Sequence, residues 1–144
     1  MEREAIAELQ RETAGKSAAD IIRLTLEKFG SDTVFASSLG AEDQIIADLI
    51  FRQHLEVPVF TLDTGRWFEE TYQLLQQTEQ RYGIRFRIYF PDREEVENMV
   101  AEHGVNLFRD SVEKRKLCCQ VRKIHPLQRA LSGFKVWICG LRRE

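Results

Sequence analysis

The residues of this sequence best suited to chemistry are two adjacent cysteines, Cys118 and Cys119, within the basic stretch 114–123. Neighbouring Cα atoms lie about 3.8 Å apart, below the usual span of a disulfide, so a bond between the two thiols would be strained. On a helix the two side chains diverge by about 100°, so they cannot easily hold one ion but can reach two metals of a cluster. Flanking Lys and Arg side chains offset the charge of a thiolate-bound cluster. We therefore favour half of a metal-cluster site over the alternative in which one thiol is core and the other incidental.

Polar residues that suit an anion lie in the loop after Ala36. Ser37, Ser38 and Gly40 fall between a predicted strand and a predicted helix. Hydroxyls, a flexible glycine and the free N–H groups of a helix N-terminus together suit a phosphate or sulfate. Serine and glycine also turn chains and cap helices, so this loop by itself leaves both interpretations open.

Two further groups follow later strands. Asp63 and Gly65 come after the second predicted strand, where alone they could form no more than a turn. Arg142 and Arg143 follow Gly140 at the end of the last predicted strand. Guanidinium groups match phosphate geometry better than ammonium groups do, so these arginines strengthen the prediction of an anion site.

Composition predicts a single domain over residues 1–144 that needs no disulfide, with 43% hydrophobic and 31% charged residues. The charged N-terminus resembles no signal peptide, and no stretch approaches the ~18 apolar residues of a membrane span, so we expect a cytoplasmic protein without a membrane partner. The net charge is only −2, but residues 109–144 carry ten Lys or Arg against three acids. Nucleic acid is not an expected partner, because this basic segment lacks interleaved aromatics.

Hydrophobic spacing and capping residues predict alternating helices and strands. The expected elements are a helix from Ser17 to Gly30, a strand over 33–36, a helix from Ala41 with Ile45, Ile46, Leu49 and Ile50 buried, a strand over 57–62, a helix through Trp67 to Tyr82, an edge strand over 84–90, a helix near 93–103, a helix from Ser111 interrupted at Pro126, and a strand over 135–139 with Cys139 as an inert core residue. This order predicts an α/β fold with a parallel sheet covered by helices on both faces. Ligands of such sheets bind beyond the carboxyl ends of the strands, where loops 37–43, 63–66 and 140–143 share one rim.

Four segments in this order resemble the sulfonucleotide reductases. They are Ser37–Asp43, Leu62–Gly65, Lys114–Lys123 and Trp137–Glu144, and the resemblance runs from about residue 30 to the last residue. The paired cysteines resemble the branch that acts on adenylyl sulfate (APS) with a [4Fe-4S] cluster, since the cluster-free enzymes acting on 3′-phosphoadenylyl sulfate (PAPS) lack them. The resemblance implies an adenine nucleotide alpha-hydrolase-like (PP-loop) fold.

The resemblance also implies roles for individual residues. Cys118 and Cys119 would be two of the four cluster ligands, and Lys123 would link the cluster region to the charged end of the substrate. The implied substrate-binding residues are Ser37, Ser38, Gly40, Leu62, Asp63, Gly65, Lys123, Gly140, Arg142 and Arg143. The implied reaction is the thioredoxin-dependent reduction of APS to sulfite and AMP in sulfate assimilation, which begins when a cysteine thiolate attacks the sulfur of APS.

The sequence departs from the family pattern at its end. Family members continue past the two arginines to a second cysteine pair and then to the nucleophilic cysteine, and neither follows Arg143 here. We therefore expect a C-terminally incomplete form of the domain that neither holds a full cluster nor turns over alone.

Other interpretations remain open at this point. They are a PAPS reductase, a non-catalytic adenine-nucleotide-binding module, and an ATP pyrophosphatase of the same fold. The last would need a second glycine and a final serine that the segment 38–43 lacks. A homo-oligomer also remains open.

Overall fold

The computed structural model of the protein describes residues 3–142 and confirms the predicted alternation of helices and strands. The helices are α1 (Arg3–Thr13), α2 (Ala18–Phe29), α3 (Ala41–Phe51), α4 (Glu69–Tyr82), α5 (Arg93–His103), α6 (Val112–Cys119) and α7 (His125–Leu131), and the strands are β1 (Thr33–Ala36), β2 (Val59–Leu62), β3 (Arg87–Tyr89) and β4 (Val136–Ile138). Short 3-10 turns cover Gly30–Asp32 and Leu107–Arg109, and a π-helical segment covers Gln120–Ile124. Within the described range no helix is long and apolar enough to span a membrane.

The four strands form one parallel sheet in the order β3-β2-β1-β4. In the register of the sheet, Phe35 of β1 pairs with Val59 of β2 on one side and with Ile138 of β4 on the other. The strand β3 lies at an edge, as predicted. Because all strands run the same way, their carboxyl ends and the loops that follow them meet at one rim.

Helices cover both faces of this sheet, because successive side chains of a strand point to opposite faces. Phe35 and Val59 pack with residues of α2, α3 and α4, such as Ile22 and Ala47. The neighbouring positions Val34 and Phe60 pack instead against Ala130 and its surroundings on α7. The two faces therefore bury alternate residues of the same strands, which fixes their register.

A smaller apolar cluster lies outside the sheet layers. It joins Met99 of α5, Leu107 of the second 3-10 turn, Cys118 of α6 and Val121 of the π-helical segment. This helical unit follows β3 and carries the cysteine pair.

The predicted interruption at Pro126 is wrong. The helix continues from α6 through the π-helical segment into α7, with Pro126 in the first turn of α7. Proline lacks an N–H group and its ring would clash with the carbonyl four residues earlier in an α-helix. The π turn lets the His125 N–H bond to the Gln120 carbonyl, five residues back, so the chain widens just before the proline instead of breaking.

Three smaller expectations also need correction. Ile45 is 62% exposed, and the buried face of α3 includes Asp43 and Ala47 instead. Trp67 precedes α4, which begins at Glu69, and the expected edge strand over 84–90 is limited to Arg87–Tyr89.

Candidate functional site

The predicted rim encloses a cavity of about 520 Å³. Five residues predicted to bind substrate line it, namely Ser37, Ser38, Leu62, Lys123 and Gly140. Gly40, Asp63, Gly65 and Arg142 lie in the rim loops without lining the cavity, and Arg143 falls outside the described residues. The structure thus brings together residues from the ends of β1, β2 and β4 and from the π-helical segment.

The cavity wall is mostly apolar and contains two tryptophans that the sequence analysis did not assign to the site. Trp67 is half-buried, and Trp137 is 45% exposed on the outer strand β4. Phe60 and Leu127 add further apolar surface. A slot with aromatic walls and a few polar groups suits a planar base, as small-molecule sites generally combine apolar walls with a few placed polar groups.

The loop after β1 is shaped by a strained residue and by a serine. Leu39 has φ of +63° although it is not glycine, and its buried side chain holds it in that conformation. The Leu39 N–H donates to Ser37 Oγ at 3.1 Å. Gly40 occupies the N-cap position of α3, where a glycine provides no side-chain cap. The helix α3 therefore begins directly at this loop, as the sequence predicts.

Asp43 is the main residue that the sequence analysis missed. Its carboxylate is 6% exposed and accepts hydrogen bonds from the Ser38 N–H and the Ser38 hydroxyl, both at 2.6 Å, and from the Gly140 N–H at 2.8 Å. A Cβ at Gly140 would lie 2.4 Å from Asp43 Oδ1, so only glycine fits there. The sequence signal for this role is the serine hydroxyl five residues earlier.

The loop after β2 is a tight turn fixed by Asp63. This carboxylate is 2% exposed and accepts hydrogen bonds from the Gly65 N–H and the Tyr72 hydroxyl, both at 2.7 Å. The hydrogen bond to Asp63, and secondly burial, raise the pKa of Tyr72. The centre of the Tyr72 ring lies 5.2 Å from the centre of the Trp67 ring. By holding Tyr72, Asp63 therefore helps to position Trp67 in the cavity wall. Gly65 has φ of +75°, a conformation that favours glycine.

Positive charge reaches the rim in three different ways. Lys123, a residue of the π-helical segment, lines the cavity. Arg122 is 8% exposed and donates from Nη1 to the Thr64 carbonyl at 2.7 Å, while its Nε has no partner within residues 3–142. Arg142 is largely exposed and pairs with Glu42 at 2.9 Å, so part of its charge is already compensated. Lys123 is therefore the predicted basic residue with direct access to the cavity.

The cysteine pair lies away from the cavity lining. Cys118 is 8% exposed within the apolar cluster of the helical unit, whereas Cys119 is exposed, so the two thiols face different surroundings, as the helical divergence predicts. Within residues 3–142 no group of three or more His, Cys, Asp or Glu side chains could hold a metal. The described residues therefore do not make up a complete cluster site, and a cluster role for the pair stays a prediction.

Cys139 is only half-buried and lines the cavity, which the sequence analysis did not predict. Burial, and secondly the charge of Asp43, raise the pKa of the Cys139 thiol, although the Leu141 N–H opposes this. Its thiol is therefore weakly ionised near neutral pH, in agreement with the expected lack of reactivity.

The chain is similar in sequence to known proteins. A family model described as the phosphoadenosine phosphosulfate reductase domain matches residues 32–144. The chain is 48% identical over 110 residues to an adenosine 5′-phosphosulfate reductase of Sinorhizobium fredii (strain NBRC 101917 / NGR234), a match that covers 76% of this chain and 44% of the relative. It is 39% identical over 132 residues to a protein of the same description from Pseudomonas aeruginosa (strain LESB58), covering 91% and 48%. The chain thus spans about half the length of these relatives.

The fold has a solved counterpart. The chain superposes on the crystal structure of phosphoadenylyl-sulfate (PAPS) reductase from Candida auris, a phosphate complex, with a TM-score of 0.84 and 24% sequence identity. The match covers 100% of this chain and 70% of that one. The predicted α/β fold and the resemblance to the sulfonucleotide reductases are therefore confirmed.

Proposed function

This chain belongs to the phosphoadenosine phosphosulfate reductase domain family, and we propose that it forms the nucleotide-binding part of a reductase that converts adenylyl sulfate to sulfite and AMP. The observation that carries the proposal is the cavity at the carboxyl ends of β1, β2 and β4, which combines aromatic walls with the Lys123 side chain. The names of the relatives favour adenylyl sulfate over its 3′-phosphorylated form. Sulfate assimilation in the cytoplasm is the physiological setting we infer for this activity.

The chemistry of the cavity suits such a substrate. Trp67 and Trp137 offer surfaces for the adenine ring, and Ser37 and Ser38 offer hydroxyls near the end of β1. Lys123 supplies the positive charge that the phosphosulfate requires, and the same charge would stabilise the AMP that leaves.

The proposed reaction begins when a cysteine thiolate attacks the sulfur of adenylyl sulfate. The bond between sulfur and the bridging oxygen breaks, AMP leaves with the electron pair, and an enzyme thiosulfonate remains. A thioredoxin thiolate then attacks the cysteine sulfur and releases sulfite, and its second thiol restores the enzyme cysteine as thioredoxin becomes a disulfide. We assign no cysteine of this chain as the nucleophile, because Cys118 is buried among apolar residues, the pKa of Cys139 is raised, and the exposed Cys119 is proposed below as a cluster ligand.

We also propose Cys118 and Cys119 as two of the four ligands of a [4Fe-4S] cluster. The support is the resemblance of the pair to the family branch, together with an exposed thiol at Cys119. The 144-residue polypeptide contains three cysteines, so reconstitution with iron and sulfide should not yield one stoichiometric four-cysteine cluster per chain. A stoichiometric brown iron–sulfur absorbance from this polypeptide would contradict that expectation. Steady sulfite production from adenylyl sulfate would contradict the separate expectation that the polypeptide does not turn over alone.

Titration calorimetry with adenylyl sulfate, AMP, PAPS and ATP tests the proposed function. We expect adenylyl sulfate and AMP to bind, and the substitution K123A to weaken both by about tenfold or more, the value of one charge-assisted contact. K116A is the matched control, because Lys116 is an exposed lysine of α6 that does not line the cavity. Tighter binding of PAPS would favour the alternative substrate, and cleavage of ATP would favour a pyrophosphatase. Indifference to every adenine nucleotide would refute the proposal.

A further inference from the structure

Arg66 belongs to the rim loop 63–66, yet its guanidinium group contacts residues outside the cavity. It is exposed and does not line the cavity. Its Nη1 donates to the Val105 carbonyl at 3.1 Å, and its Nη2 donates to Asn106 Oδ1 at 3.0 Å. The guanidinium carbon also lies 4.9 Å from the centre of the Phe108 ring, a cation–π distance. Three contacts thus tie Arg66 to residues about forty positions further along the chain.

These contact residues belong to the helical unit that carries the cysteine pair. Phe108 packs against the cluster formed by Leu107, Cys118 and their neighbours. Arg115 of α6 also donates to the Phe108 carbonyl, at 3.4 Å. The side chain of Arg66 therefore connects the loop after β2 with the apolar surroundings of Cys118.

A second arginine, in the π-helical segment, also bonds to the loop after β2. Arg122 follows the cysteine pair in the π-helical segment and donates to the Thr64 carbonyl at 2.7 Å. Its Nη1 lies only 3.1 Å from the position of a Cβ at Gly65, so the guanidinium fills the space that glycine leaves open. The loop 63–66 is therefore held to the helical unit at both Thr64 and Arg66.

We propose that Arg66 is a positioning residue that holds the loop 63–66, and with it the cavity wall residues Thr64 and Trp67, against the cysteine-bearing helical unit. The role in nucleotide affinity rests on the proposed function, whereas the mechanical role does not. An arginine in a rim loop would otherwise be expected to bind the anionic ligand directly through its charge. The structure favours the other assignment because both Nη groups of Arg66 already donate to acceptors of the helical unit.

Calorimetry with AMP separates positioning from direct binding. We expect R66A to weaken AMP binding about three- to tenfold, and R66K to give no rescue because an ammonium group cannot bond both acceptors in this geometry. N106A should weaken AMP binding in the same direction, and adding it to R66A should cause no further loss. R85A is the matched control, since Arg85 is an exposed arginine outside the rim loops that pairs with Glu79. Wild-type affinity in R66K together with wild-type affinity in N106A would overturn the proposal.

A second measurement decides the mechanical role without any nucleotide. Hydrogen exchange at the backbone amides of residues 64–67 and thiol labelling of Cys118 should both be faster in R66A than in R85A, under conditions where both variants remain folded by circular dichroism. Equal rates in the two variants would overturn the proposal. If the wild-type chain binds no AMP, the proposed function fails while this comparison still tests the role of Arg66.

Discussion

Asp43 bonds to a loop residue that lies 97 positions further along the chain. One carboxylate satisfies the Ser38 N–H, the Ser38 hydroxyl and the Gly140 N–H, and it does so at the N-terminus of α3, where negative charge is favoured. The helix N-terminus that the sequence predicts as an anion site thus already contains an anion of the protein itself. The phosphosulfate is therefore better matched to the Lys123 side of the cavity.

Replacing Asp43 by asparagine should destabilise the fold by about 1–3 kcal/mol. The amide keeps one acceptor oxygen, but its NH2 group then faces a backbone N–H and leaves a buried donor unsatisfied. Urea denaturation of D43N measures the loss. The control is E42Q, which removes only the charge of the surface pair with Arg142 and should change stability by about 0–1 kcal/mol. Equal midpoints for the two variants would contradict the role assigned to Asp43.

Cys139 should react with iodoacetamide more slowly than Cys119 at pH 8, with a rate that keeps rising above pH 9. Burial and the nearby Asp43 charge raise the pKa of the folded thiol above its ordinary value of 9.0, so little thiolate is present at lower pH. Because the pKa of the Cys139 thiol is higher in the folded than in the unfolded state, its contribution to folding stability is complete below the unfolded pKa. That contribution is lost as pH rises through the folded pKa. Peptide mass spectrometry across pH 7–10 gives both rates. A rate profile for Cys139 centred at or below pH 9 would refute the assignment.

At the level of elements, the sequence predicts best where local signals agree. Ser17 caps α2 through the Asp20 N–H and Gly30 ends it, because capping needs only neighbouring residues. Pro126 misled the prediction, since whether a proline breaks a helix depends on how the preceding turn adjusts. Ile45 misled it as well, because a helical stripe of apolar residues shows the width of the apolar face but not which edge the neighbouring helix covers. The contacts of Asp43 and Arg66 join distant segments and leave no periodic signal.

The π-helical segment accommodates Pro126, because an α-helix would bring the carbonyl four residues earlier against the proline ring. Deleting the exposed Gln120 would restore the α-helical period and bring that clash back. We expect the deletion to lower the free energy of unfolding by about 2 kcal/mol or more.

The substitution Q120A serves as the control for this deletion, because it keeps the number of residues. It should change stability by no more than about 0.5 kcal/mol. If the deletion leaves the urea midpoint at the value of Q120A, the π segment is not needed to accommodate Pro126.

At the scale of the whole molecule, the site is assembled entirely from segments after residue 30. The cavity lining begins at Ala36, and the family match begins at residue 32. Helix α2 still contributes to the main core, through buried Ile22 and the partly buried Leu26 that packs against it. Helix α1 differs, because it has no buried residue; one of its contacts with the remainder is the ion pair between Glu12 and Lys28. The N-terminal helix is thus separable from the nucleotide site.

Removing residues 1–15 should therefore leave AMP affinity within about twofold of the starting chain and lower stability by no more than about 1 kcal/mol, the scale of an exposed ion pair. The deletion keeps Ser17, so the cap of α2 remains intact. The contrasting variant is I22A, which removes a side chain that is 5% exposed from the main core and should cost about 2–5 kcal/mol. Urea denaturation and AMP calorimetry on the two variants make the comparison. If the deletion destabilises the chain as much as I22A does, α1 packs on the core more strongly than its lack of buried residues indicates.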